Sequence, residues 1–381
     1  MKNVLYIGGF DLPDRNAAAQ RVVTNAKILR DLNYDVSLVG LTRDKSNLEY
    51  FNYEGFRCIN LPYPQTIREW WRMLTSVKQY MRFYQKDTQF VIAYNHPAMA
   101  LKELYKYNKK HGIKTISDCT EWYEPQGSKL FKLIKGWDIN QRMCKVHPLL
   151  DGIITISRFL DDYYIAKGMK TLLLPPLVDK QERKWQNVIE PDDESIRLLY
   201  AGSPAGTKDR IDVVINALAK IASKGKSFQL NIIGITENQY RDIYLHGEQK
   251  NIPNFVCFKG RLPHEDVIKQ LRQADFQIFI RENHLANRAG FPTKFVETIS
   301  AGTIVLTNAS SNLKDYMLEG VNSYELDISN EDSLFNSLLT PISLSKEEIR
   351  KQKGNIDMAT FDYRRYLDKA QYFFNSIYKN M

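Results

Sequence analysis

The sequence has few cysteines and no apolar run long enough to cross a bilayer. Among its 381 residues the cysteines are Cys58, Cys119, Cys144 and Cys257. They are scattered and lack the close spacing of metal ligands, so we interpret them as reduced thiols of a cytosolic protein. No apolar stretch approaches the roughly 20 residues that span a membrane. The first residues lead directly into an apolar strand, so we expect no signal peptide.

Nucleic-acid-binding motifs are also missing, although the formal net charge is +9. A basic protein can bind nucleic acid, nucleotide diphosphates or anionic lipid head groups. Without a nucleic-acid motif, the charge favours the last two partners. The composition, with 43% hydrophobic and 25% charged residues, is that of a globular protein, and the length predicts two domains.

The chain repeats one pattern of apolar strand, loop, helix and strand. Val4 to Ile7 is the first such strand, and the pattern restarts at Ile196 after a proline pair and a charged, aperiodic linker over residues 180–195. Strands that alternate with helices form parallel, right-handed units. The patterns predict an α/β protein with two Rossmann-like domains whose parallel sheets face each other across a cleft. We expect the domains over residues 1–178 and 195–355.

The stretch Gly290–Asn308, GFPTKFVETISAGTIVLTN, combines a helix start with phosphate-binding chemistry. Pro292 suits the first helical position, and Gly302 suits the left-handed residue that ends a helix. The hydroxyl of Thr293 and the ammonium of Lys294 accompany free backbone N–H groups at the helix start. That combination suits a phosphate.

Glu297 follows one turn later on the same helix face, where its carboxylate can accept hydrogen bonds from sugar hydroxyls. The local pattern also fits an ordinary amphipathic helix with a surface pair of Lys294 and Glu297. The wider sequence favours the first interpretation. The Gly-Phe-Pro turn, the glutamate and the following Ala-Gly-x-x-Val segment resemble the nucleotide-sugar-binding helix of GT-B glycosyltransferases of the retaining family 4, also called group 1.

This resemblance implies a donor site in the second half of the chain. The implied donor-binding residues are Gly202, Lys208, Arg261, Arg281, Phe291, Pro292, Thr293, Lys294 and Glu297. In the family, the loop after the first strand of the second domain contains a glycine and a lysine that contact the donor pyrophosphate. The glutamate of the helix holds the ribose. Backbone near Arg261 would border the nucleobase, so uridine and guanosine donors both remain open.

Two positions depart from the family pattern. Ser203 stands where the family has an arginine, and Arg210 or Arg281 are the candidates to supply the missing charge. The first of two family glutamates, which stands near the transferred sugar, falls at Ala289. Glu282 in the preceding loop is the predicted catalytic replacement, and loss of activity is the alternative.

Two polar clusters follow predicted strands in the first half. Asn95 and His96 follow one strand, and Asp118, Glu121 and Trp122 follow another. Ligands of parallel sheets bind beyond the carboxyl ends of strands, and the Asp-x-x-Glu-Trp-Tyr run resembles the acceptor-side loop of bacterial surface-polysaccharide members of the family. We predict catalytic positions at Asp118 and His96, and acceptor-side positions at Asn95, Glu121 and Trp122. Helix caps and loop hydrogen bonds are the alternative.

Two stretches of the first half, residues 65–86 and 130–145, mix aromatic and basic side chains. Basic helices with exposed aromatic residues rest on membrane surfaces. Helices that pack on the core and turn their lysines and arginines to water are the alternative. The aromatic C-terminal stretch, residues 360–381, is predicted to be a helix that returns to the first domain, as in the resembled architecture.

The resemblance implies transfer of a sugar from a UDP- or GDP-type nucleotide diphosphate sugar, with retention of configuration, to a glycan or lipid-linked glycan of a surface polysaccharide. Fixed protein charge would stabilise the leaving diphosphate, with no cofactor and no metal. A nucleotide-sugar epimerase and an inactive nucleotide-binding partner subunit are the alternatives. We expect a cytoplasmic protein with contact to a membrane surface and no nucleic-acid partner.

Overall fold

The computed structural model describes residues 2–44, 48–123, 128–186, 194–202, 209–246, 248 and 251–378, without the side chains of residues 130 and 131. The chain forms two compact units. Unit 1 comprises Met1–Leu177, Arg288–Phe291 and Tyr363–Met381, and unit 2 comprises Val178–Asn287 and Pro292–Asp362. Unit 2 therefore begins before the predicted linker, and the linker residue Trp185 is buried in it.

Unit 1 is built on an eight-stranded sheet with the strand order β3-β4-β2-β1-β5-β6-β7-β8. Its strands are β1 Lys2–Gly8, β2 Tyr34–Thr42, β3 Phe51–Tyr53, β4 Phe56–Pro62, β5 Thr88–Tyr94, β6 Lys114–Cys119, β7 Gly152–Thr155 and β8 Thr171–Leu173. Its first helices are α1 Ala17–Asp31, α2 Ile67–Thr75, α3 Ala98–Lys110, α4 Lys129–Gln141 and α5 Arg158–Ile165. All neighbouring strands are parallel except β3, which is antiparallel to β4.

Unit 2 is built on a six-stranded, parallel sheet with the order β11-β10-β9-β12-β13-β14. Its strands are β9 Ile196–Ala201, β10 Phe228–Ile233, β11 Val256–Gly260, β12 Phe276–Ile278, β13 Ile304–Thr307 and β14 Ser323–Glu325. Its helices are α6 Ile211–Ala222, α7 Glu237–Tyr244, α8 His264–Gln273, α9 Leu285–Ala289, α10 Thr293–Ala301, α11 Glu331–Ile342 and α12 Lys346–Gly354, except that the last two residues of α9 belong to unit 1.

The central strands explain why both sheets are stable. Val4 to Ile7 of β1 and Phe90 to Ala93 of β5 in unit 1, and Leu198 to Tyr200 of β9 in unit 2, are at most 2% exposed. Such continuous apolar runs are typical of parallel strands that helices cover on both faces. Because the loops after parallel strands meet at one edge of a sheet, the burial of these strands fixes where each unit can bind a ligand.

The C-terminal helix α13, Leu367–Tyr378, belongs to unit 1. Its Phe374 ring lies 5.5 Å from the Phe90 ring and 6.0 Å from the Tyr34 ring. These aromatic contacts attach the end of the chain to the first sheet. The aromatic composition of this segment thus serves packing within unit 1.

The stretch 65–86 is not one helix, as the basic-aromatic pattern had suggested. The helix α2 ends at Thr75, and a separate 3-10 turn covers Lys78–Phe83. The two pieces also differ in burial. No residue of α2 is buried, whereas Tyr80 and Phe83 of the 3-10 turn pack in the core. The exposed aromatic side chains of this stretch therefore lie in α2, and the aromatic side chains that pack on the core lie in the 3-10 turn.

Candidate functional site

The helix α10 ends where the sequence predicted and begins one residue later than predicted. Pro292 is the N-cap rather than the first helical residue, and Gly302 ends the helix with a left-handed φ of 75°. Phe295, Val296 and Ile299 anchor one face, since each is at most 1% exposed. The buried face holds the helix rigidly, so the polar side chains of its first turns have fixed positions.

Lys294 at the start of α10 contacts a buried carboxylate. Its Nζ atom donates a hydrogen bond to the Oδ2 atom of Asp209, and Tyr200 donates its hydroxyl to the same oxygen over 2.9 Å. The Asp209 side chain is only 3% exposed and that of Lys294 is 12% exposed. A charge-assisted bond at this depth orients the ammonium far more firmly than a surface pair would.

Arg281 supplies a second cation to the same carboxylate. Its Nε atom lies 3.2 Å from Oδ1 of Asp209. Asn308 fixes the arginine backbone from both sides, accepting from its N–H and donating to its carbonyl, each over 2.8 Å. The terminal guanidinium nitrogens of Arg281 make no hydrogen bond within the residues that the structure describes. They are therefore available to an anionic ligand.

Asp209 stays ionised in this cluster. Burial by itself would raise its pKa, but Lys294, Arg281 and the Tyr200 hydroxyl lower it to about 2. Two cations and one anion give the cluster a net charge of +1 at neutral pH. The start of α10 adds the positive end of the helix dipole. The arrangement is suited to binding a diphosphate.

Gly202 leaves room for this contact. A side-chain carbon at position 202 would overlap the terminal atoms of Lys294. The glycine follows β9 directly, at the carboxyl edge of the sheet of unit 2. The sequence predicted Gly202 as a phosphate contact, and the structure shows it making space for the lysine. Lys208, predicted beside it, lies outside the described residues.

Glu297 makes a second polar contact of α10. Its Oε1 atom lies 3.0 Å from Nε2 of His264, the first residue of α8. This is the only hydrogen bond of the carboxylate within the described part of the chain, and 19% of the side chain is exposed. The second oxygen can therefore accept sugar hydroxyls. Arg261, predicted near the nucleobase, is exposed.

Glu282 takes part in a different ion pair. Its Oε1 atom lies 2.9 Å from Arg210, and its Oε2 atom lies 2.8 Å from His284. The hydrogen bonds from these two residues lower its pKa, so it is a carboxylate at neutral pH and not a proton donor. Arg210 is engaged by Glu282 and Asp212. Of the two candidates to replace the missing arginine, Arg281 is therefore the one in the cation cluster.

Ala289 is the position of the absent family glutamate. Its side chain is fully buried, and its backbone carbonyl accepts a hydrogen bond of 2.6 Å from Ser157 within unit 1. The residues that follow it, Phe291 and Pro292, are buried. Thr293, by contrast, is partly exposed at the start of α10.

In unit 1, Asp118 is inaccessible to solvent. Both of its oxygens accept hydrogen bonds from Arg21, at 2.8 to 3.1 Å. Tyr6 donates its hydroxyl to Oδ2 over 2.6 Å, and Asn25 approaches to 3.3 Å. Arg21 also bridges to the carbonyl of Leu174 over 2.9 Å. The predicted role of Asp118 at an acceptor stays a prediction. Its hydrogen bonds link β6 to β1 and to helix α1, and Arg21 extends the link to the residue after β8.

The other predicted residues of unit 1 lie around the ends of β5 and β6. Asn95 donates its amide to the Thr120 hydroxyl over 2.6 Å, and His96 is buried. Glu121 is partly exposed. The Trp122 ring packs edge-on against Tyr163 at 4.9 Å. The structure thus brings Asn95, Thr120 and the residues that follow them to one edge, as the strand order requires.

The chain is similar to known proteins in part of its sequence and in its fold. Residues 181–354 match the family model of group 1 glycosyl transferases. No curated protein sequence matches the chain. Among solved structures, a sucrose-phosphate synthase from Thermosynechococcus elongatus is similar with a TM-score of 0.71 at 14% identity, covering 100% of both chains. Anabaena Alr3699/HepE in complex with UDP and glucose gives 0.68 at 14% identity, covering 99% of this chain and 100% of its own.

The protein is a glycosyltransferase with the GT-B fold. The lipopolysaccharide outer core galactosyltransferase WaaB is a further similar structure, with a TM-score of 0.64 at 16% identity, covering 98% of this chain and 99% of its own. The family match covers the cation cluster, Glu297 and His264 of this glycosyltransferase. Within the described residues, no helix has the length and apolar character needed to cross a membrane.

Sequence reasoning missed three residues that organise these sites. Asp209 and Tyr200 hold Lys294, and Arg21 holds Asp118. A signal for Asp209 was present, because an acid directly beside a phosphate-binding loop must be neutralised if an anion is to bind there. For Arg21, the signal was a basic residue among the apolar positions of α1, although Lys27 is buried on the same helix.

Proposed function

We propose that this glycosyltransferase moves a sugar from a UDP- or GDP-type nucleotide diphosphate sugar to a glycan or lipid-linked glycan acceptor, with retention of configuration, in surface polysaccharide synthesis. The observation that carries the proposal is the cation cluster of Lys294 and Arg281 on Asp209, at the carboxyl edge of the unit 2 sheet. That Alr3699/HepE is described in complex with UDP supports the donor class.

In this proposal, unit 2 lowers the barrier by stabilising the leaving diphosphate. Lys294, the free guanidinium nitrogens of Arg281 and the N–H groups at the start of α10 provide preorganised positive charge. Glu297, oriented by His264, accepts hydrogen bonds from the ribose hydroxyls. The leaving phosphate oxygen accepts the proton of the acceptor hydroxyl on the same face, which retains the configuration without a protein base.

The test is incubation with a panel of UDP and GDP sugars, with and without glycan and lipid-linked acceptors, read by mass spectrometry. We expect release of nucleoside diphosphate and an acceptor heavier by one sugar residue. Conversion of a donor in the absence of acceptor would identify an epimerase instead. Nucleotide binding without turnover of any donor would identify an inactive partner subunit.

Replacing Glu297 with alanine is expected to weaken UDP or GDP binding by about 10- to 100-fold, since hydrogen bonds to a charged group contribute about 1.5–3 kcal/mol. Isothermal titration measures the change. Glu347→Ala, which removes an exposed acid from α12, is the matched control and should bind normally. Unchanged affinity in Glu297→Ala would move the ribose site elsewhere.

Two exposed helix faces of unit 1 support a membrane-bound acceptor. On α2, Ile67 is 90% and Trp71 is 64% exposed, and the helix contains no buried residue. On α4, Leu133 and Trp137 are 71% and 54% exposed. Exposed apolar side chains beside basic residues are typical of helices that lie on anionic membrane surfaces. We propose that these faces bring the enzyme to a lipid-linked acceptor.

The double variant Trp70→Ser/Trp71→Ser is expected to bind anionic vesicles about tenfold more weakly, because it removes large apolar side chains from the lipid contact. Co-sedimentation with vesicles of phosphatidylglycerol and phosphatidylcholine measures the loss. Tyr372→Ser removes an aromatic ring that is 79% exposed on α13 and serves as the control. Equal sedimentation of all three proteins would contradict the proposed contact.

A further inference from the structure

Arg142 is a buried cation that forms no ion pair among the described residues, although its charge partly offsets the burial that raises the pKa of the nearby Asp138. It begins a π-helical turn, Arg142–Val146, directly after α4, and it is 3% exposed. Its Nη1 atom donates to the carbonyl of Asn95 over 3.1 Å. Its Nε and Nη2 atoms have no hydrogen-bond partner among the residues that the structure describes. Burying a guanidinium with unsatisfied N–H groups is unfavourable, so this arrangement needs an explanation beyond packing.

His96 presents a second unused polar atom next to this arginine. The ring is 5% exposed, and its Nδ1 atom has no hydrogen-bond partner in the described part of the chain. Burial, and to a lesser extent the charge of Arg142, lower its pKa to about 4. The ring is therefore neutral at neutral pH. A neutral imidazole carries one N–H, and one of its two tautomers places that donor on Nδ1.

The surrounding loops are built to hold these two groups. The backbone of Asn95 has a left-handed φ of 44°, which is strained for a residue other than glycine. Two hydrogen bonds with Thr120, of 2.6 and 3.1 Å, maintain it. The Tyr123 ring lies 5.9 Å from the Arg142 guanidinium and is partly exposed. Its side chain therefore lies between this guanidinium and solvent.

The position of the pair indicates what it binds. Asn95 and His96 follow β5, and Thr120 to Tyr123 follow β6, at the carboxyl edge of the sheet of unit 1, where parallel sheets bind ligands. A guanidinium with two free donors matches the paired oxygens of a phosphate or a carboxylate. We propose that Arg142 and His96 bind an oxyanion, a phosphate or a carboxylate, carried by the sugar acceptor, after the Tyr123 side chain moves aside. The assignment to the acceptor rests on the proposed transferase function.

The experiment measures oxyanion binding independently of the donor site. Thermal stability is recorded in the Lys294→Met background, which lacks the donor-site ammonium, during titration with inorganic phosphate and, separately, with glucuronate. Added to that background, Arg142→Gln is expected to raise the dissociation constant at least tenfold for the anion that binds. Lys145→Met, an exposed residue of the same turn, should leave it unchanged. If phosphate stabilises the protein, the site binds a phosphate; if glucuronate does, it binds a carboxylate.

A second variant protects the test if Arg142→Gln fails to fold. His96→Asn keeps the bond between Arg142 and Asn95 and is expected to weaken anion binding about tenfold. Failure of both anions to stabilise the parent, or an equal response in the Arg142 and Lys145 variants, would overturn the proposal. UDP binding by the wild type is measured in a separate titration. Failure of the proposed donor site and failure of the proposed oxyanion site therefore give different results.

Discussion

The substitution Lys294→Met is expected to lower the affinity for UDP or GDP about 100-fold. The ammonium contributes a charge-assisted contact to the diphosphate, which contributes roughly 1.5–3 kcal/mol. Its loss also reduces the net charge of the cluster from +1 to zero, because Asp209 keeps its negative charge beside a single remaining cation. The diphosphate then loses an attraction and approaches a cluster with no net positive charge in a poorly solvated place.

A double variant separates these two effects. Lys294→Met/Asp209→Asn restores a net charge of +1, carried by Arg281 alone. We expect it to bind UDP at least tenfold more tightly than Lys294→Met, although less tightly than the wild type. Such recovery is the coupling that a double-mutant cycle measures between neighbours.

Isothermal titration with UDP and GDP measures the cycle, and thermal unfolding confirms that the variants are folded. Lys351→Met, which removes an exposed lysine from α12, is the control. Normal nucleotide binding by Lys294→Met would show that the start of α10 does not contact the diphosphate. A double variant as weak as the single one would show that the Asp209 charge does not reach the ligand.

The second large effect concerns the stability of unit 1. Asp118→Asn is expected to cost about 3–5 kcal/mol of unfolding free energy, since it leaves the Arg21 guanidinium buried without its counter-charge. Arg21→Met should cost a similar amount for the opposite reason. The double variant Arg21→Met/Asp118→Leu removes both charges and should regain most of the lost unfolding free energy. The part that is not regained is the contribution of the hydrogen bonds from Tyr6 and Asn25 to Asp118.

Urea unfolding followed by tryptophan fluorescence measures these differences. Asp44→Asn breaks a pair with Arg15 whose side chains are 43% and 38% exposed, so it should cost at most about 1 kcal/mol. An Asp118→Asn protein with wild-type stability but no turnover would instead support the catalytic role predicted from the sequence. The same series therefore tests both interpretations of Asp118.

Local patterns predicted the helix α10 well. Pro292, Gly302 and the apolar spacing between them predicted α10 to within a residue, because helix capping and amphipathic spacing are properties of neighbouring residues. Where two patterns overlapped, as in residues 65–86, the sequence could not place the break. The mixture of exposed and buried aromatic rings there depends on what the rest of the chain covers.

The sequence by itself determined that the chain forms alternating strands and helices, that a helix suited to a phosphate begins within a residue of Pro292, and that polar residues follow the strands of the first half. Only the tertiary structure decided that Lys294 meets Asp209 across 85 positions of sequence, and that Arg21 meets Asp118 across 97. Helix and strand periodicity arises from neighbours along the chain, whereas the partner of a buried charge depends on which strand ends the sheet brings together.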